Sequence, residues 1–299
     1  MKLKKKSAAG KRKPAADKKE TLAAMCFLAP SLIGVSYFVL IPFLDAFRRS
    51  FYGAMNKKFV GFKNYITVFQ NEAFKLASFN TIRFILTCIP LLLIISLLLA
   101  LLINTVNDKK GVFKTSFLIP MSIPVASIVL LWKIFFSDKG LLNVFMGTIG
   151  KEQLDWMNTS WAFVLLVFSY IWKNVGYDMI LWLAGISNIP PSLYEAAEVD
   201  GAGGLQKFRM ITLPHLLPTL FTITVLSLLN SFKVFREAYL IAGDYPHESI
   251  YMLQHLFNNW FLSLDIDKLC AAAVVLAVVV FVIIAILQKF WGKITDLDS

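Results

Sequence analysis

The chain has 299 residues, of which 57% are hydrophobic and 16% charged, with a formal net charge of +11. A water-soluble domain carries about 25% charged residues, and here the deficit is concentrated in long charge-free runs. That composition excludes an ordinary soluble enzyme. The three cysteines Cys26, Cys88 and Cys270 all lie in apolar runs, so they read as small buried hydrophobes without disulfide or metal spacing.

Residues 1–20 hold nine Lys/Arg and two acids. They predict a disordered basic cytosolic tail resting on anionic membrane lipid, each basic residue adding about 1 kcal/mol near the surface. A nucleic-acid arm is the competing reading of such a tail. The lipid anchor is simpler, so no nucleic-acid partner is expected. Residues 21–44 form the first charge-free run. It is too long for the apolar region of a signal peptide, about 7–15 residues, and fits the roughly 20 residues that cross a bilayer as a helix. The unit 21–78 is therefore a first transmembrane helix with an outer loop. Within that loop residues 59–69 mix aromatic and polar side chains and predict a short interfacial amphipathic helix.

Five further spans follow at 84–107, 115–132, 156–186, 215–241 and 269–288. Pro120 and Pro124 kink the third. The expectation is an all-α membrane protein of six transmembrane helices. Its core is 79–292, with a cytoplasmic helix-turn-helix loop at 189–214, and 293–299 form a short cytosolic tail. An even number of spans and a basic first tail place both termini in the cytosol. Lys/Arg number 16 on that side against 13 outside, a weak bias without the tail.

The polar loop between the fourth and fifth spans carries the chemistry. Pro190 and Pro191 stop the fourth span, and Ser192 precedes Glu195 at capping-box spacing. A helix over 193–200 should end at Gly201 in a left-handed conformation. Gly203 and Gly204 loosen the turn, and a second short helix over 205–211 should run until Pro214 opens the fifth span. Ala196 and Ala197 leave room for a partner's surface, while Glu195, Glu198 and Asp200 offer charged handles. The competing reading is that Glu195 merely completes a cap, worth about 1 kcal/mol.

The spacing Glu195-Ala196-Ala197, then Gly201, then Ile211, Leu213 and Pro214 resembles the signature loop of permease subunits of binding-protein-dependent ATP-binding-cassette importers. The likeness extends over about residues 20–290, and 231–240 with 245–255 are similar to sugar permeases of the maltose and multiple-sugar group. The maltose member carries extra N-terminal spans that are absent here. The resemblance implies a multi-pass protein of the bacterial plasma membrane that works with an ATPase dimer, a second homologous permease and an extracytoplasmic solute-binding protein. It implies that Glu195 is the docking acid and Gly201 the hinge. No phosphate-binding Gly-rich loop is present, so ATP belongs to the partner ATPase and no cofactor is expected in this chain.

Ionisable and hydroxyl-bonding residues at membrane depth mark a candidate substrate path: Tyr170, Asn174, Tyr177, Asn230 and Lys233. The bland alternatives are a structural Lys173–Asp178 pair, and Arg236 with Glu237 lying at the outer interface. Other functions remain open at this point. One is an intramembrane lipid-linked transferase, which would need clustered acids or histidines near the headgroups. Others are a permease for glycerol phosphate or a polyamine, and a stand-alone carrier.

Overall fold

The computed structural model describes residues 18–53, 58–106 and 110–297. Most of the tail expected at 1–20 and the last two residues lie outside the described residues. Fourteen α-helices follow one another: α1 Lys18–Val35, α2 Ile41–Arg49, α3 Lys63–Gln70, α4 Glu72–Thr105, α5 Lys110–Ser122, α6 Val125–Phe136, α7 Leu141–Thr148, α8 Trp161–Ser187, α9 Pro191–Val199, α10 Gly204–Lys207, α11 Leu213–Ser231, α12 Phe235–Ala242, α13 Leu253–Leu262 and α14 Ile266–Leu297.

Helix dominates because lipid offers no hydrogen-bond partner to an open backbone. Among the described residues five helical runs are long and apolar enough to span a bilayer: Met25–Arg49, Glu72–Thr105, Trp161–Ser187, Gly204–Tyr239 and Ile266–Lys289. The sixth span, expected as one kinked helix at 115–132, is a broken pair. Gly111–Ser122 and Val125–Thr148 meet at 90°. Pro124 caps α6 in an extended conformation, ψ 139°, and breaks the hydrogen-bond ladder there.

Helix α8 is the hub, packing against α4, α5 and α11. In lipid the helices gain little from leaving one apolar phase for another, so close backbone approach matters more. Gly176 lies against the Phe117 carbonyl of α5, where an added Cβ would collide, and Gly185 lies against Thr219 and Leu216 of α11. Around these crossings Trp182, Met179, Leu216 and Ile223 form one buried cluster. Phe84, Leu166, Tyr170 and Val234 form a second. Two tryptophan–serine bonds, the first fully buried and the second partly, tie the hub down. Trp182 Nε1 donates to Ser96 Oγ at 3.0 Å, and Trp132 Nε1 to Ser169 Oγ at 2.8 Å.

At the end of the bundle remote from α9, the connecting segments are stitched by side-chain amides. Asn80 on α4 donates to the carbonyls of Glu248 and Tyr251, at 2.6 and 2.9 Å. Asn64 donates to the carbonyls of Ser50 and Tyr52, and buried Asn143 exchanges hydrogen bonds with Leu154 while accepting from Trp156 Nε1. Residues 59–62 of the expected interfacial helix are instead bridge and turn, with Phe59 paired to Tyr52, and the helix begins at Lys63. The first span touches the bundle only through its second half, where α2 packs against α14. None of its apolar window is buried, and Cys26, expected to be buried, is exposed.

Replacing Gly176 with Leu should force α5 off α8, at a cost of at least the usual 1–3 kcal/mol of overpacking, about. Gly34 lies within α1 and faces open space, so Gly34→Ala should hold stability or raise it by up to about 1 kcal/mol. Thermal unfolding of the detergent-solubilised protein checks both, and equal midpoints for the two variants would refute the close crossing.

Candidate functional site: the α9–α11 loop and the polar face of the bundle

The loop that follows α8 begins with Pro190 and Pro191, which reset the chain and open α9. Pro190, with φ −59° and ψ 128°, is the N-cap, and no side chain caps the helix. The expected Ser192–Glu195 capping box therefore does not form. Both residues lie within the helix, and Glu195 is exposed and free of that duty. It lines a cleft between α9 and the ends of α4 and α8, with Asn104, Ser187 and Tyr194. Ala196 is exposed and Ala197 half-buried, so the helix shows a low surface beside its acids.

The far end of α9 closes on main-chain bonds. Gly201 has φ +77°, the left-handed conformation expected of it. Its N–H donates to the Glu198 carbonyl at 3.0 Å, and the Ala202 N–H donates to the Ala197 carbonyl at 2.8 Å. These two bonds make a Schellman motif, with Asp200 as the exposed C-cap.

Two side-chain braces lock the turn. Lys207 Nζ lies 2.6 Å from Glu198 Oε1 across the loop. This hydrogen bond and the lysine charge hold the Glu198 carboxyl below its ordinary value. Tyr194 OH and Thr212 Oγ1 are 2.8 Å apart and join α9 to the base of α11. So Glu198, expected to be a free handle, is engaged within the loop.

The second helix is not a separate rod. Gly204–Tyr239 is one helical run, in which α10 passes through a widened π turn, Phe208–Thr212, into α11. Pro214 thus lies inside the run rather than at its start. It has no N–H, and its ring crowds the carbonyl four residues back, which the wider turn accommodates. The His215 ring donates to the Ile211 carbonyl at 2.7 Å. Ile211 is half-buried, while Leu213 and Pro214 remain exposed. The structure adds what the sequence reading passed over, an uncovered apolar set on the loop: Val199 (88% exposed), Leu205 (81%) and Met210 (68%). Val199 between two acids and Leu205 directly after two glycines were the available signals.

The candidate path residues separate. Tyr170 is buried, with its ring edge-on to Phe84 and its hydroxyl donating to the Ser227 carbonyl at 3.2 Å. It belongs to the buried cluster between α4 and α8. Asn174 is half-buried and donates to the Tyr170 carbonyl one turn back, at 2.8 Å; Tyr177 is half-buried. Asn230 accepts from Lys233 Nζ at 2.7 Å, and Lys233 is exposed. The expected Lys173–Asp178 pair does not form. Lys173 Nζ lies 2.8 Å from Glu237 Oε1, and Asp178 Oδ2 accepts from Ser227 Oγ at 2.9 Å. Glu237, expected to lie with Arg236 at the outer interface, is instead buried and bonded to α8. Both partners lie on helices distant in sequence, where local spacing carries no information.

Comparison with known proteins places the chain in a family. The family of binding-protein-dependent transport system inner membrane components matches residues 65–293. The sulfoquinovosyl glycerol transport system permease protein SmoG of Agrobacterium fabrum is 32% identical, covering 86% of each chain. The trehalose/maltose transport system permease protein MalF of Thermococcus litoralis is 29% identical over 81% of this chain and 84% of its own length. Among solved structures, a chain of a bacterial alginate transporter in complex with alginate pentasaccharide-bound periplasmic protein aligns at a TM-score of 0.80. It is 27% identical, over 93% of this chain and 96% of that one.

Two tests follow from the loop geometry. Gly201→Val places a β-branched side chain at positive φ and should cost the loop about 1–2 kcal/mol or more. Backbone amide exchange at 201–204 should accelerate while the spans keep their protection, and unchanged exchange would refute the cap. The Glu198–Lys207 brace depends on the carboxylate. Because the folded carboxyl titrates below its ordinary value of 4.5, the brace is fully present above that pH and lost as pH falls through the lowered value. Loop protection factors should therefore be flat from pH 8 to 5 and decline only below about 4.5; a decline between pH 7 and 6 would contradict the brace.

Proposed function

This chain belongs to the inner-membrane-component family of binding-protein-dependent transport systems, and from that membership we propose that it is one half of a sugar or oligosaccharide permease driven by a separate ATPase. A multi-pass inner-membrane protein of this family moves solute rather than transforming it. The sugar reading is supported by the names of the relatives, which carry sulfoquinovosyl glycerol, trehalose or maltose, and by the alginate-bound neighbour. A single bundle of this kind supplies one wall of a pathway. A second homologous permease supplies the other, and an external binding protein delivers the solute.

The observation that carries the coupling is the shape of the loop. Glu195, Ala196, Ala197, Asp200 and Gly201 form a short helix with a main-chain stop, and Ile211, Leu213 and Pro214 lead it into α11. We assign this loop to the cytosolic side, with both termini. Val199, Leu205 and Met210 are uncovered apolar side chains, and burial of each against a partner releases roughly 1.5–3 kcal/mol. Glu195 and Asp200 supply orientation beside them. Nucleotide closes the ATPase dimer, the two loops are drawn together, and the braces Tyr194–Thr212 and Glu198–Lys207 pass that displacement to α11. Because α8 ends in the same loop, the displacement reaches the hub helix as well. The bundles then rock between inward-facing and outward-facing states.

Glu195→Gln removes the charge and, since no cap depends on it, leaves the helix intact. ATPase recovered with the affinity-purified permease should fall several-fold, and uptake in proteoliposomes should fall with it, while membrane insertion stays normal. Undiminished recovery together with undiminished uptake would remove Glu195 from the docking site.

A further inference from the structure

Lys233 and Arg236 stand three residues apart, on either side of the point where the 3₁₀ turn Phe232–Val234 passes into α12, and both side chains are exposed. Their depth is fixed by a neighbour. Glu237 is bonded to Lys173, which stands at the centre of the membrane-spanning helix α8. Residues 233–237 therefore lie near mid-membrane, well away from the headgroups. Cations facing hydrocarbon at that depth are costly, and such residues turn instead toward water or a polar partner. The charge balance on this face is one-sided. Lys173 is neutralised by Glu237, and Asp178 is buried against Ser227. Lys233 has only the neutral Asn230 amide oxygen, at 2.7 Å, and neither Lys233 nor Arg236 joins an ion pair among the described residues.

We propose that Lys233 and Arg236, with Asn230 beside them, bind an anionic group (a carboxylate, sulfonate or phosphate ester) carried by the translocated saccharide. A neutral sugar needs hydroxyl donors and acceptors and leaves two cations uncompensated in a low-dielectric channel. An acidic one satisfies both charge and hydrogen bonds, and the guanidinium of Arg236 suits two oxygens at once. The inference rests on the permease reading and names the solute class for it.

The test uses the whole transporter, with second permease, ATPase and binding protein, reconstituted in proteoliposomes. It is offered paired probes: galacturonate and mannuronate oligomers, a sulfonated hexose and a hexose phosphate, each beside its neutral counterpart. ATP-driven uptake should favour the acidic members. In Lys233→Gln/Arg236→Gln the ratio of acidic to neutral uptake should fall at least about tenfold, the loss expected for removing a charged hydrogen bond. The swap Lys233→Arg/Arg236→Lys, which keeps both charges, should retain most of it. Uptake confined to neutral members, or an unchanged ratio in the double variant, overturns the proposal while leaving the permease reading intact. No saccharide uptake of either kind overturns the permease reading and this proposal with it. A double variant that no longer copurifies with the second permease assigns the two cations to a carboxylate of that subunit and likewise overturns it. The single variant Arg236→Gln keeps the ratio measurable if the double variant fails to insert.

Discussion

The part of the bundle that carries the α9–α11 loop is referred to α8, and α8 is held by contact at van der Waals range rather than by burial from water. At Gly176 the absent side chain lets the α5 backbone touch the helix, and at Gly185 it admits Thr219 of α11. Each contact is weak alone, and their strength lies in number and closeness. Because α8 runs without interruption to Ser187 and α9 starts four residues later, the crossings that position α8 also aim the loop. A change in loop position is therefore a change at these crossings.

The polar groups inside the bundle are arranged so that few remain without a partner. Asp178 takes a hydroxyl from Ser227, Tyr170 gives its own to the carbonyl of that same residue, and Lys173 meets Glu237. All three link α8 to the broken run α11–α12. A buried ion pair adds little net stability, since desolvation offsets much of the attraction. Removing one partner is costly, so the pair fixes which segment of α12 lies beside which segment of α8. The polar seam thus sets register where apolar packing alone would tolerate sliding.

Much of this was legible from residue order. Charge-free runs located the spans, since insertion depends on local composition. Gly201 was legible because its conformation excludes almost every other residue. The 90° break between α5 and α6 was only half visible. Pro120 and Pro124 announced a kink, but its angle depends on what α6 packs against, and α12 is 100 residues further on. The Lys173–Glu237 pair, 64 residues apart, was invisible for the same reason, and so was the burial of Tyr170. The capping box failed because Pro190 and Pro191 already start the helix two residues earlier than Ser192 would. At Pro214 a rule of thumb misled. Proline often opens a helix, but a widened turn just upstream allows it inside one.

The Schellman closure at Ala197, Glu198, Gly201 and Ala202 is made wholly of main-chain groups. Its shape is indifferent to the side chains that decorate it, apart from the glycine. The side chains at 195, 199, 200 and 205 are exposed and take no part in those bonds, so substitutions there leave the direction of the turn unchanged. Under the docking proposed above, contact falls to exposed side chains and direction to main-chain atoms, so a change in one leaves the other undisturbed.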